Sequence, residues 1–212
     1  MIFETIPVGP FQCNCMILGC EETRAAIVID PGDSADQINA LFEKHQLNPV
    51  YLLHTHAHID HIGATDEMKA KTGARAALHE DDLFLCQNLT LQAEHFGLPA
   101  PPIPVIDHFF KKKESLSFGK EIVEVFHTPG HTPGSVTFYI PTIGLLTGDT
   151  LFKGSIGRTD LWGGSYRTII ASMTELLHTF PDETVVYPGH GASTTLGKEK
   201  RENPFVISMG LS

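Results

Sequence analysis

The sequence predicts a layered α/β domain, and three observations carry that expectation. Buried strand patterns alternate with amphipathic helix patterns through the first third of the chain. A hairpin-like pair of apolar runs occupies residues 136–146. The residues with most chemistry, a crowd of histidines and aspartates, fall just past the ends of the apolar runs. Alternation of this kind indicates an α/β layered domain. Loops beyond strand ends are where a rigid scaffold presents functional groups.

The elements follow in order. Residues 11–18 read as a strand in which Cys13 and Cys15 share a face, so they are small buried thiols rather than a redox pair. Residues 24–30 (RAAIVID) form an apolar run closing in Asp30-Pro31-Gly32, a strand entering a turn. Residues 34–46 place Ile38, Leu41 and Phe42 at i, i+3 and i+4, behind Ser34 as an N-cap. Residues 50–53 are a short buried strand running into His54. Residues 61–72 read as one helix ending before Gly73, and 74–78 as a strand. Four prolines within 98–104 make an extended loop. Residues 121–126 are a strand, 136–140 and 143–146 a hairpin pair, 165–178 a helix, 184–187 a strand and about 195–202 a last short helix. Lys111-Lys112-Lys113 beside Glu114 is a solvated loop or hairpin.

Composition narrows the function. The chain has 212 residues, enough for one domain over 1–212. Hydrophobic residues make up 42% and charged residues 19%, as in an ordinary globular protein. A net charge of -10 argues against a nucleic-acid binder, which needs a basic face. No apolar run reaches the roughly 18 residues that span a membrane. The N-terminus lacks the basic and apolar regions of a secretory signal. The expectation is therefore a cytoplasmic protein with no nucleic-acid and no membrane partner. The four cysteines suggest no disulfide framework.

The string His56-x-His58-x-Asp60-His61 puts four potential metal ligands within six residues, directly after an apolar strand. Without a metal, such a cluster would leave several polar groups seeking partners. Imidazole and carboxylate suit zinc, iron or manganese. In an extended segment His56 and His58 point the same way and can grip one ion. A helix beginning at Asp60-His61 then turns those two side chains toward a second. A catalytic zinc normally takes three protein ligands, so further ligands for two ions are expected. His131, in a Pro/Gly-punctuated loop, Asp149, in Thr-Gly-Asp, and His190, after Tyr-Pro-Gly, are the candidates. A carboxylate has two oxygens, so Asp149 can bridge ions about 3.5–4 Å apart.

The strings HTHAHIDH, FHTPGHTPGS, LLTGDTLF, GSIGRTD and VVYPGHG, spread from residue 54 to 191, together resemble the metallo-β-lactamase superfamily, and most of all its glyoxalase II-like hydrolases. The resemblance implies a four-layer αβ/βα sandwich (the metallo-β-lactamase fold) with metals at the edge of the two sheets. It implies one metal on His56, His58 and His131, another on Asp60, His61 and His190, and Asp149 between them, with zinc the expected metal and iron or manganese alternatives. His54 and His127 fall outside that ligand pattern and read as supporting groups. The implied activity is hydrolysis of S-lactoylglutathione or a similar small thioester by metal-activated hydroxide, with Asp60 both ligating and orienting the nucleophile. Arg158 falls where the family places a basic residue for the glutathione moiety. It could pair with a substrate carboxylate or with Asp160. Tyr187, Thr159 and Asp160 are further candidate helpers. Lys198, Lys200 and Arg201 either attract an anion or solvate the last helix. Only 22 residues follow His190, so the helical C-terminal domain of glyoxalase II proper is not expected. An iron-dependent glutathione persulfide dioxygenase of the same fold is the alternative, because that branch shares the His-x-His motif and a segment like Gly157-Arg158-Thr159-Asp160.

Overall fold

The alternation of side chains along each central strand decides the architecture. In the computed structural model, which describes residues 1–208 and Gly210, strand β2 (Cys13–Gly19) sends Cys13, Cys15 and Ile17 to one face and Met16 and Leu18 to the other. Strand β3 (Ala25–Ile29) does the same with Ala26 and Val28 against Ile27 and Ile29. The first set packs on helices α1 (Ala35–His45) and α3 (Thr65–Thr72). The second packs on the inner face of another sheet, meeting Val123 and Val125 of β8 (Glu121–His127), Phe138 of β9 (Val136–Ile140) and Leu146 of β10 (Gly144–Gly148). The outer face of that sheet, through Leu145 and Val186, packs on Ile169, Met173, Leu176 and Leu177 of α6 (Tyr166–Thr179). Helix, sheet, sheet and helix thus form four layers, central strands such as β2, β3 and β10 being apolar on both faces because both are covered.

The first sheet has the order β1 (Ile2–Val8), β2, β3, β4 (Asn48–Leu53), β5 (Arg75–His79), β6 (His108–Phe110). Its first three strands pair antiparallel and the rest parallel. The second sheet has the order β14 (Thr194–Thr195), β13 (Val185–Pro188), β10, β9, β8, β7 (Lys113–Phe118). Lys111 and Lys112 carry the chain from one sheet to the other. A two-stranded ribbon, β11 (Leu151–Phe152) and β12 (Ser155–Ile156), and the short helices α7 (Leu196–Glu202) and α8 (Pro204–Ser208) complete that side.

Three expectations need correction. Residues 61–72 are not one helix: α2 (Ile59–Ile62) and α3 are separated at Gly63-Ala64. The Pro31-Gly32 turn presses on the break, and Ala64 donates its N–H to Pro31 O rather than continuing the helical ladder. Ser34 does not cap α1; it has φ 58° and its hydroxyl turns to Asp33. The stretch between β5 and the proline loop holds α4 (Leu83–Gln87) and α5 (Leu89–Phe96), absent from the sequence reading. The core-facing row of α5 is Leu89, Gln92 and Ala93, so a glutamine interrupts its apolar period.

Candidate functional site

The chain leaves four strand ends at one edge of the sandwich, and each exit delivers candidate ligands. Beyond β4 come His56 and His58, then α2 with Asp60 and His61. Beyond β8 the loop brings His131. Beyond β10 and β13, which are parallel neighbours, stand Asp149 and His190. All seven sequence candidates meet there.

They meet in two groups. His58 Nδ1 lies 3.1 Å from His56 Nε2 and 2.9 Å from His131 Nε2. His190 Nε2 lies 3.2 Å from Asp60 Oδ2 and 3.2 Å from His61 Nε2. Asp149 stands between the groups. Its Oδ1 is 3.5 Å from His61 Nε2 and 3.8 Å from His190 Nε2, while its Oδ2 is 3.6 Å from His131 Nε2.

The outward nitrogens fix the tautomers. Thr55 Oγ1 donates to Asp30 Oδ2 at 2.7 Å, so at 3.0 Å it accepts from His56 Nδ1–H. His61 Nδ1 donates to Asp30 Oδ2 (2.9 Å), His131 Nδ1 to Arg158 O (2.7 Å) and His190 Nδ1 to Phe11 O (3.1 Å). With Nδ1 carrying the proton, four Nε2 lone pairs are left pointing inward. Burial pushes His58 down to about 3, with the charge of His131 adding to it, and holds His56 low as well, so both favour the neutral form that ligates. Burial also lowers His61, but Cys13 and the carboxylates of Asp60, Asp149 and Asp30 outweigh it and raise the net value. Asp60 shows the mirror image. Burial raises it, and His61 and His190 outweigh that and hold it below the usual carboxylate range.

The donor set fits a pair of cations. Inward-facing imidazole lone pairs cannot satisfy one another. Asp149 Oδ1 is buried with no hydrogen-bond partner among the described residues, which is costly unless a positive group faces it. Two nearby groups do not extend the set. Cys13 Sγ is 3.5 Å from His61 Nδ1, on the ring's outward side, and burial pushes its thiol up to about 12. His79, Asp81 and His127 also cluster, but the two rings stack at 3.9 Å and 9°. Their in-plane lone pairs run parallel and do not converge on one ion. His54 is a strut, donating from Nδ1 to Ala77 O and accepting at Nε2 from Thr65.

Several residues that hold the site were not singled out in the sequence. Asp30 takes Thr55 N–H (2.7 Å) and the His61 ring together. Asp82 accepts from Ala57 N, Thr132 Oγ1 and Gly134 N, tying the two histidine loops to each other; burial raises its pKa. Gln92 bonds Ile59 N, Ala57 O and Leu85 O. Asp30 ends a buried strand as the ligands do, and that position was its only signal. Arg158 forms a bidentate pair with Asp160 at 2.7 and 2.8 Å. Tyr187, half-buried against the core, packs edge-on on Phe3. Lys198 and Lys200 pair with Glu202 and Asp182.

The model of the Metallo-beta-lactamase superfamily matches residues 8–190. This chain belongs to that superfamily. Hydroxyacylglutathione hydrolase GloC of Haemophilus influenzae is 41% identical over 211 residues, 98% of this chain and 99% of its own. Among solved structures, the BLEG-1 B3 metallo-beta-lactamase aligns with TM-score 0.89 and 38% identity over 97% of this chain and 99% of its own. A protein solved in a di-iron-bound form aligns with TM-score 0.84 and 40% identity over 95% and 99%. ETHE1 from Myxococcus xanthus aligns with TM-score 0.80 and 27% identity over 98% and 85%. The four layers are the superfamily's fold, and the chain falls among its metal-dependent hydrolases. No helix among the described residues is long and apolar enough to cross a membrane.

Proposed function

We propose that this protein is a dinuclear metal-dependent thioester hydrolase acting on S-lactoylglutathione or a similar small thioester. One observation carries the two-metal reading: Asp149 presents one oxygen to the His61 and His190 side and the other to His131. In this reading His56, His58 and His131 would hold one ion, Asp60, His61 and His190 would hold the other, and Asp149 would serve both. The thioester reading draws support from the similarity to a hydroxyacylglutathione hydrolase over nearly the whole of both chains.

When bound, two divalent ions would supply the Lewis acidity that activates water and polarises a carbonyl. The chain supplies the rest. Asp60 is 20% exposed, so it reaches the open side of the centre and can orient the attacking water while ligating. The Asp30–His61 and Arg158–His131 contacts hold two ligand rings at fixed angles, so little reorganisation accompanies the reaction. A thiolate leaving group has a pKa of about 8.5, by analogy with cysteine, and needs little help from an acid. Zinc is the metal we favour; the iron form of a 40%-identical relative makes iron the alternative.

The test combines elemental analysis of protein purified without added metal with S-lactoylglutathione hydrolysis and persulfide-dependent oxygen uptake. Two metals per chain are expected. Thioester turnover should fall at least about 100-fold in Asp149→Ala, together with loss of one metal. A second reading, the persulfide dioxygenase, rests on the His56-x-His58 motif and the Gly157-Arg158-Thr159-Asp160 segment, which resemble that branch. One iron per chain with oxygen uptake and no hydrolysis establishes that reading and removes the first.

A further inference from the structure

Beside the candidate ligand His58 opens a cleft of about 90 Å³ whose walls are mostly apolar: Leu85, Leu91, Phe96, Leu161 and Trp162, with Gln92 and His95 beside them. Three of these are large and unusually bare, Leu91 at 48%, Phe96 at 41% and Trp162 at 52% exposure. Scattered apolar residues on a surface mean little, but these converge on one concavity that ends at a candidate metal ligand. Both walls are anchored to the ligand loops. Gln92, at the centre of α5, binds the backbone of Ala57 and Ile59 on either side of His58. The Trp162 loop is held by Arg158, whose carbonyl takes the His131 ring, and by Gly163, where a Cβ would lie 2.6 Å from Pro133 Cγ. The cleft is therefore built as rigidly as the ligands.

Its charge is equally informative. No Lys or Arg lines it. A second cleft, beside Asp60, is lined by Asp33 and Glu67 and also lacks a cation.

We propose that the cleft beside His58 is a substrate subsite for an apolar group, a short alkyl or aryl substituent carried on the acyl or the sulfur side of the thioester. This rests on the hydrolase reading for the word substrate, but binding in the cleft does not require turnover. An apolar substituent gains contact with Leu91, Phe96 and Trp162 and removes them from water, worth about fourfold in affinity per buried methylene.

The chain has one tryptophan, so its emission reports this cleft directly. The metal-loaded protein is titrated with hexanoate and acetate, standing for the acyl side, and with hexanethiol and ethanethiol, standing for the sulfur side. The expected result is a blue shift of Trp162 emission and at least about tenfold tighter binding for the six-carbon member of one pair. The pair that responds identifies the side. Leu91→Asp should abolish the difference, with Leu161→Ser in its place where Leu91→Asp does not fold. A parallel series of thioesters lengthened from two to six carbons on the responding side should show kcat/KM rising with length. Equal binding within both pairs overturns the subsite even if thioesters are hydrolysed. A clear length preference in binding with no thioester turnover upholds the subsite and sinks the hydrolase reading.

Discussion

Asp30 governs the candidate site without belonging to the ligand set. Its two oxygens hold the Thr55 backbone, the Thr55 hydroxyl and the His61 ring, and through Thr55 they also set the His56 tautomer. Asp30→Asn keeps the shape and removes the charge behind His61. Metal affinity should fall about 10- to 100-fold, read by competition with a chromophoric chelator. Unchanged affinity would mean that the contact is only structural. His54 makes a different prediction. Burial drives it from 6.5 down to about 4, so it stays neutral in the folded chain where the unfolded chain would take a proton. Its contribution is fully present above about pH 6.5 and is lost as pH falls toward 4, up to about 3 kcal/mol. Urea unfolding of metal-free protein at pH 7 and pH 4.5 checks this, and His54→Asn should show a smaller acid loss than the parent.

At the scale of elements, the site is made by what interrupts regular structure. A continuous helix over 61–72 matches the local sequence, yet Pro31-Gly32 takes the Ala64 N–H and ends α2 after one turn. That short helix is what turns Asp60 and His61 away from His56 and His58. Gly189 does similar work at the end of β13. A Cβ there would lie 2.4 Å from Asp149 Oδ1 and 2.7 Å from His61 Cε1. Gly189→Ala should displace both side chains, cutting kcat/KM at least about 100-fold, as small misplacements at reacting centres do. The melting temperature of the metal-free variant should stay within about 4 °C of the parent. A fully active alanine variant would show that the bridging position tolerates a shift. Helices α4 and α5 were not legible in advance, because Gln92 stands in the apolar row of α5 and bonds the ligand loop instead of packing.

At the scale of the molecule, the layers and the candidate centre are separable. The apolar clusters between helices and sheets include none of the seven candidate ligands. Chelation should therefore leave far-ultraviolet circular dichroism unchanged while lowering the melting temperature. Metal held at about 1,000 times its dissociation constant adds ~4 kcal/mol, which for a chain of this size corresponds to roughly 8–16 °C. Scanning calorimetry with and without EDTA measures it. A melting temperature unaffected by EDTA would remove the assignment of bound metals.

The sequence by itself determined the α/β class, most strand positions and all seven candidate ligands. Those depend on local pattern: apolar runs of strand length, turn residues at their ends, and donor residues crowded where an apolar strand stops. Only the tertiary structure decided that Asp149 presents an oxygen to each group of donors, and that Asp30, Asp82 and Gln92 hold the loops in place. It also decided that Arg158 pairs with Asp160, and that α5 and the Trp162 loop form an apolar cleft beside His58. These depend on contacts between residues far apart in the chain, such as the 129 positions between His61 and His190, and no local periodicity records them.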